Sequence, residues 1–138
     1  MPFLEAEKIE DYPRKTQMVR QVLEQVANKW TLLVLDALEG AEETRYTRLR
    51  KKIPAVSQKM LTQTLRQLER DGLITRRVKA TVPPQVSYQM TPQGESLSEA
   101  TCAIWHWVEK NIKHVEKSRK GYDSKAQDQR RQKELALS

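Results

Sequence analysis

Cysteine is nearly absent from this 138-residue sequence: Cys102 stands alone. A single thiol closes no intramolecular disulfide and supplies no cysteine-based zinc finger. His106 and His114 are the only histidines, too few for a histidine-rich metal site, and no metal or cofactor is expected. No apolar run approaches the ~20 residues of a membrane helix. Met1 to Arg14 carry acids and prolines rather than a basic stretch followed by an apolar one, which argues against a secretory signal. No Ser/His/Asp or Cys/His constellation, glycine-rich phosphate loop or metal-ligand spacing is present, which argues against an enzyme. These absences predict a soluble cytoplasmic protein of one domain with no membrane partner.

Acids are also scarce, but only in one place. The chain has 25 Lys and Arg against 18 Asp and Glu, for a net charge of +7. Between Arg45 and Lys79 there are eleven basic side chains and two acids, Glu69 and Asp71, a surplus of nine. The remainder holds 14 basic and 16 acidic residues and is slightly negative. A solvated helix face normally mixes signs, and this window hardly does. It reads as an anion-binding surface, and nucleic acid is the commonest large anion.

The apolar spacing predicts a helix from Thr16 with Val19, Val22, Leu23 and Val26 on one stripe, after an irregular arm over residues 1–15. Trp30 to Leu38 is apolar nearly all round and predicts a buried central helix ended by Gly40, with Trp30 in the core. Thr44-Arg45-Tyr46 is β-like. Thr47 is read as the N-cap of a short helix that stops before Pro54. Ser57 is read as the N-cap of a helix reaching Asp71 and stopping at Gly72, with Met60, Leu61, Leu65 and Leu68 inward.

Leu73–Val78 and Val86–Thr91 then predict a β-hairpin around a loop near Ala80 to Gln85, with Val86, Tyr88 and Met90 inward. Thr91-Pro92 opens a long helix carrying Leu97, Ala100, Ile104, Trp105, Val108, Ile112 and Val115. The structured domain is placed at residues 16–116. Residues 117–138 are polar and are expected to be a frayed or disordered tail.

The order of elements predicts a mainly α chain with a small β-hairpin, a winged helix-turn-helix of the α+β kind. A helix fits the major groove of B-DNA, where Gln, Lys and Arg reach base edges. Ser57, Gln58, Lys59, Thr62, Gln63 and Arg66 are therefore the candidate major-groove residues, with an ordinary polar helix face as the plainer reading. Thr47, Arg48 and Arg50 are candidate phosphate contacts, which orient a protein without reading sequence. Lys79, Thr81 and Gln85 are the wing candidates, the wing spanning residues 79–86. Arg70, Arg76 and Arg77 are read as ion-pair partners of Glu69, Asp71 or the tail.

Three stretches together resemble the HxlR-type transcriptional regulators, a bacterial and archaeal winged-helix family related to the MarR group. They are NKWTLLVLDAL at Asn28–Leu38, RYTRLRKKIPAVSQKMLTQTLRQLERDGLITRRV at Arg45–Val78, and VPPQVSYQMTPQG at Val82–Gly94. The resemblance covers roughly residues 17–115. It implies a homodimer built by the N- and C-terminal helices on a two-fold related operator in double-stranded DNA, with Ser57–Asp71 as recognition helix. A repressor or autoregulator is expected, with room for a small-molecule effector of unidentified chemistry. Many relatives carry a redox-active cysteine where Gln17 or Met18 stands here, and neither residue can do thiol chemistry. Ala27-Asn28 replaces the usual glycine pair, and Gln85 a common basic wing residue.

The C-terminal apolar stripe is more than one small domain can bury, which independently predicts a dimer. Val19, Val22, Ile104, Trp105, Val108 and Ile112 are the candidate interface residues. Trp107 and His106 are read as packing residues beside them, and Cys102 as a buried structural thiol. The rival reading from a different class is a winged-helix protein–protein module binding an acidic partner, since a fold does not fix a function.

Overall fold

The computed structural model describes residues 13–40 and 42–137, in two units that divide between Glu99 and Ala100. Most of the expected N-terminal arm over residues 1–15 lies outside the described residues. Helix α1 spans Pro13–Val26, opening three residues before the expected Thr16. Its stripe is split: Val22 and Val26 are half-buried, whereas Met18, Val19 and Leu23 are exposed. Asn28 then caps α2 (Lys29–Leu38), its side chain accepting from the Trp30 N–H at 2.9 Å.

Helix α2 carries Val34, Leu35, Ala37 and Leu38 into the core, and half-buried Trp30 packs against it. The expectation of a fully buried helix needs correction. Leu32 and Leu33 are exposed, because only one side of α2 is covered within its unit. At its C-terminal end the Ala37 carbonyl accepts from Lys52 Nζ at 3.0 Å. That cation satisfies an orphan acceptor at the negative end of the helix.

Strand β1 (Thr44–Arg45) leads directly into α3 (Tyr46–Lys52). The cap position belongs to Arg45, not Thr47, and Arg45 makes no side-chain cap bond. Pairing of Thr44 and Arg45 with the hairpin fixes where the helix begins. Helix α4 (Gln58–Arg70) follows, and the Ser57 hydroxyl accepts from the Met60 N–H at 3.1 Å, as an N-cap should.

The end of α4 is a Schellman motif. Gly72 N–H reaches the Glu69 carbonyl at 3.0 Å and Leu73 N–H the Leu68 carbonyl at 2.9 Å. Gly72 has φ +71°, a conformation that a side chain would strain. Leu61, Leu65 and Leu68 are fully buried along one side of α4. Each contributes about 1.5–3 kcal/mol by leaving water. The helix is thus clamped from below while its other side stays free.

Strands β2 (Ile74–Lys79) and β3 (Gln85–Met90) form the hairpin, and the sheet order is β1-β3-β2, all antiparallel. Here the simple inward alternation breaks down. Tyr88 is buried, with Val86 and Met90 half-buried, but Ser87 on the other face is buried too, and its hydroxyl donates to the Glu43 carboxylate. On β2, Ile74 is buried while Val78 is exposed, because the outer hairpin extends beyond the core.

Helix α5 spans Pro92–Leu137, its first eight residues lying in the first unit. Thr91 fixes its start: Oγ1 donates to the Gly72 carbonyl at 2.7 Å and accepts from the Gly94 N–H at 3.1 Å. In the second unit, considered alone, the helix leaves Ile104, Trp105, Trp107, Val108 and Ile112 exposed. Cys102 is half-exposed rather than buried. The expected frayed or disordered tail over 117–138 is replaced by continuous helix to Leu137. The segment has no proline, one glycine, and many Lys, Arg, Gln, Glu and Ala residues. Those are the residues that lose least in a helix, and Glu116 and Lys120 stand four apart for mutual attraction.

Candidate nucleic-acid interface

The buried leucines of α4 determine what its opposite side presents. With Leu61, Leu65 and Leu68 inward, the 3.6-residue repeat turns Gln58, Lys59, Gln63, Arg66, Gln67 and Arg70 outward. Together with half-buried Thr62 they line one open trough along the helix. Gln67 and Arg70 were absent from the sequence-derived set. Their spacing could have found them, since Gln67 is one helical turn beyond Gln63 and Arg70 one beyond Arg66.

The predicted residues do not all have the same freedom. Ser57 is spent on the helix cap. The Thr62 hydroxyl lies 3.3 Å from the Tyr46 hydroxyl, which also donates to the Gln58 carbonyl at 3.5 Å. Gln58 Oε1 accepts from Arg50 Nη1 at 3.5 Å, so α3 and α4 are joined at the turn. Lys59, Gln63 and Arg66 are exposed and make no side-chain hydrogen bond or ion pair among the described residues.

The charge pattern is equally open. Among the described residues no basic side chain between Arg45 and Lys79 is in an ion pair; His106 with Glu109, at 3.8 Å, lies elsewhere on α5. This corrects the expectation that Glu69 or Asp71 would neutralise Arg70, Arg76 and Arg77. Thr47, Arg48, Arg50 and Lys51 are exposed on α3. Lys52 faces back to α2. The N-terminal turn of α4 carries no acid, so its free N–H groups add positive potential beside those cations.

At the hairpin tip, Lys79 pairs with Gln85 on the last rung of the ladder. Thr81 shapes the loop, its hydroxyl donating to the Pro83 carbonyl at 2.8 Å. Lys79 and Thr81 are exposed and Gln85 half-buried. A polar helix face, a cationic approach from α3 and a projecting hairpin thus occur in one unit. This is the division of labour a winged helix uses on duplex DNA.

The family model described as HxlR-like helix-turn-helix matches residues 25–116. The chain belongs to the HxlR-like helix-turn-helix family. The uncharacterized HTH-type transcriptional regulator YtfH of Escherichia coli (strain K12) is 45% identical over 97 residues, covering 70% of this chain and 75% of that protein. The solved structure of the transcriptional regulator ytfH from Salmonella typhimurium is similar with a TM-score of 0.67 and 40% identity, covering 74% of this chain and 90% of that one. The redox regulator HypR in its reduced form is similar at TM-score 0.64 and 32% identity, over 71% and 96%. Members of the HxlR-like family are DNA-binding transcriptional regulators, not enzymes, and the winged helix-turn-helix read from the sequence is the fold found. Among the described residues no helix is long and apolar enough to cross a membrane.

Proposed function

We propose that this HxlR-like chain acts as a homodimeric, sequence-specific regulator, a repressor or autoregulator working in the cytoplasm on a two-fold related operator. Helix α4 enters the major groove, α3 grips phosphates through Thr47, Arg48 and Arg50, and Lys79, Thr81 and Gln85 serve the wing. The observation that carries the reading is the unpartnered α4 face, where Lys59, Gln63 and Arg66 keep all their side-chain hydrogen-bonding capacity. Gln63 suits an adenine edge and Lys59 a guanine edge. Gln58 and Thr62 are tied to α3 and fix the pose more than they read bases. Ser57, as a cap, acts through the helix it holds.

The dimer is supported by exposed apolar side chains in both units: Met18, Val19 and Leu23 on α1, and Ile104, Trp105, Val108 and Ile112 on α5. Val22 is half-buried and contributes less area. Two copies would then read half-sites about 34 Å apart, one turn of B-DNA. A thiol switch is not part of this proposal. Gln17 and Met18 carry no thiol, and Cys102 is the sole cysteine.

The test is binding to operator and random duplexes across a salt series. Gln63→Ala or Lys59→Ala is expected to cost about 1–3 kcal/mol at the base pair read, while Arg48→Ala weakens all sequences alike. If both α4 substitutions leave operator and random-DNA affinity unchanged, the recognition-helix assignment fails. No retardation of any duplex at low salt transfers the reading to an acidic protein partner.

A further inference from the structure

Behind the outward face of α4 lies a second, smaller cleft of about 210 Å³, lined by Thr62, Arg66, Glu69, Arg76 and Tyr88. Three of these come from one flank of α4, at positions 62, 66 and 69, and two from the hairpin. Arg76 on β2 and Tyr88 on β3 are directly opposite each other in the ladder, so the strand pairing brings them together. Tyr88 is only 8% exposed. Burial raises its pKa above the ordinary phenol value, and the neighbouring Arg76 guanidinium works against that rise without cancelling it. The hydroxyl therefore keeps its proton. A guanidinium cannot accept that proton, so the phenol O–H is available for another acceptor.

The cleft is rich in donors and poor in acceptors. Arg66 and Arg76 approach from different elements, and neither is in an ion pair among the described residues. Glu69 is the one carboxylate in the lining, which leaves a surplus of one positive charge. At roughly 30 Å³ per water the space holds about seven waters, below the ~300 Å³ where drug-sized pockets begin. It suits a small oxyanion group held by forked donors.

We propose that this cleft is an oxyanion site, taking one phosphate group between Arg66, Arg76 and the Tyr88 hydroxyl. The phosphate comes either from the backbone of a bound duplex or from a free ion, and the chemistry of capture is the same. Thr62 and Arg66 also belong to the outward face of α4, so a free ion held here competes with DNA for them. The duplex source rests on the DNA-binding reading above; the free-ion source does not.

The experiment titrates inorganic phosphate, at constant ionic strength, against the arginine side-chain N–H resonances of the full chain. It also measures duplex affinity against salt. The variants are Arg76→Gln, Tyr88→Phe (which keeps the buried ring) and Arg77→Gln, whose position on the other face of β2 makes it the control. Saturating shifts that vanish in Arg76→Gln, weaken several-fold in Tyr88→Phe and persist in Arg77→Gln support the free-ion source. Absence of such shifts, with a salt slope about one unit shallower in Arg76→Gln than in Arg77→Gln, supports a backbone phosphate. A protein that binds duplex but shows neither effect overturns the site. A protein that shows the phosphate shifts yet binds no duplex keeps the site and refutes the DNA reading.

Discussion

Replacing Gly94 with alanine is expected to injure the fold although alanine is the better helix former. Gly94 is buried in the first turn of α5. A Cβ there would stand 2.0 Å from the Leu73 carbonyl oxygen and 3.1 Å from its carbon, where ordinary contact begins at 3.4 Å. The Leu73 backbone would have to retreat by roughly 1.4 Å to restore that contact. The same carbonyl accepts from the Thr91 N–H at 3.1 Å, and Thr91 is also bonded to Gly72. Overpacking of this kind costs about 1–3 kcal/mol, and loss of the hydrogen bond about 1 more. Alanine returns up to about 1 kcal/mol of helix propensity.

The net loss is therefore about 1–3 kcal/mol, and toward the upper end because a backbone carbonyl yields less readily than a side chain. At that upper end the melting temperature is lower by roughly 10 °C for a chain of this size. Urea unfolding followed by circular dichroism, at one fixed protein concentration, measures it. Gly121→Ala is the matched control. Gly121 lies in the same helix with nothing within 4 Å of an added Cβ, and its replacement is expected to stabilise by up to about 1 kcal/mol. If Gly94→Ala proves neutral or stabilising, as Gly121→Ala should be, the close approach to Leu73 is refuted.

Ser57→Ala removes the side-chain acceptor of the Met60 N–H and is expected to lower stability by about 1 kcal/mol in the same urea assay, with Ser57→Asp largely retaining it. Tyr88 binds its proton more tightly in the folded chain than at its ordinary value of 10.0, so its contribution to stability is intact below that pH and is lost as pH climbs toward the raised value. Tyr88→Phe should flatten that alkaline decline, which melting temperatures across alkaline buffers would reveal. Ile112→Glu places a charge on the exposed apolar part of α5 and is expected to yield monomers by sedimentation velocity without loss of helix content. A variant that still sediments as a dimer removes Ile112 from the interface.

What could be read from the sequence was what local chemistry determines. Ser57 and Gly72 bound α4 because a cap and a left-handed residue act within one turn of chain, and Thr91-Pro92 opens α5 for the same reason. The outward set Lys59, Gln63 and Arg66 follows from leucine spacing alone. Thr47 misled because the start of α3 is set by pairing of Thr44 and Arg45 with Tyr88 and Ser87, more than forty residues onward. Burial of Ser87 has the same origin. The cleft was invisible because Arg76 and Tyr88 meet only across a rung of the sheet, and Arg66 joins them through packing of α4. Helix α5 runs on to Leu137 because helix propensity acts along the chain without needing a core, whereas polarity alone suggests a frayed end.

Among the described residues, the strand order β1-β3-β2 leaves the outer side of β2 without a strand neighbour along its six residues. An open edge of that length offers unpaired N–H and C=O groups to any extended chain, including another copy of itself. Arg76, Arg77 and Lys79 occupy half of that strand. Two such edges brought side by side would set cation against cation, which disfavours pairing through this edge. Charge of one sign along this edge thus works against strand-by-strand association of copies of the chain.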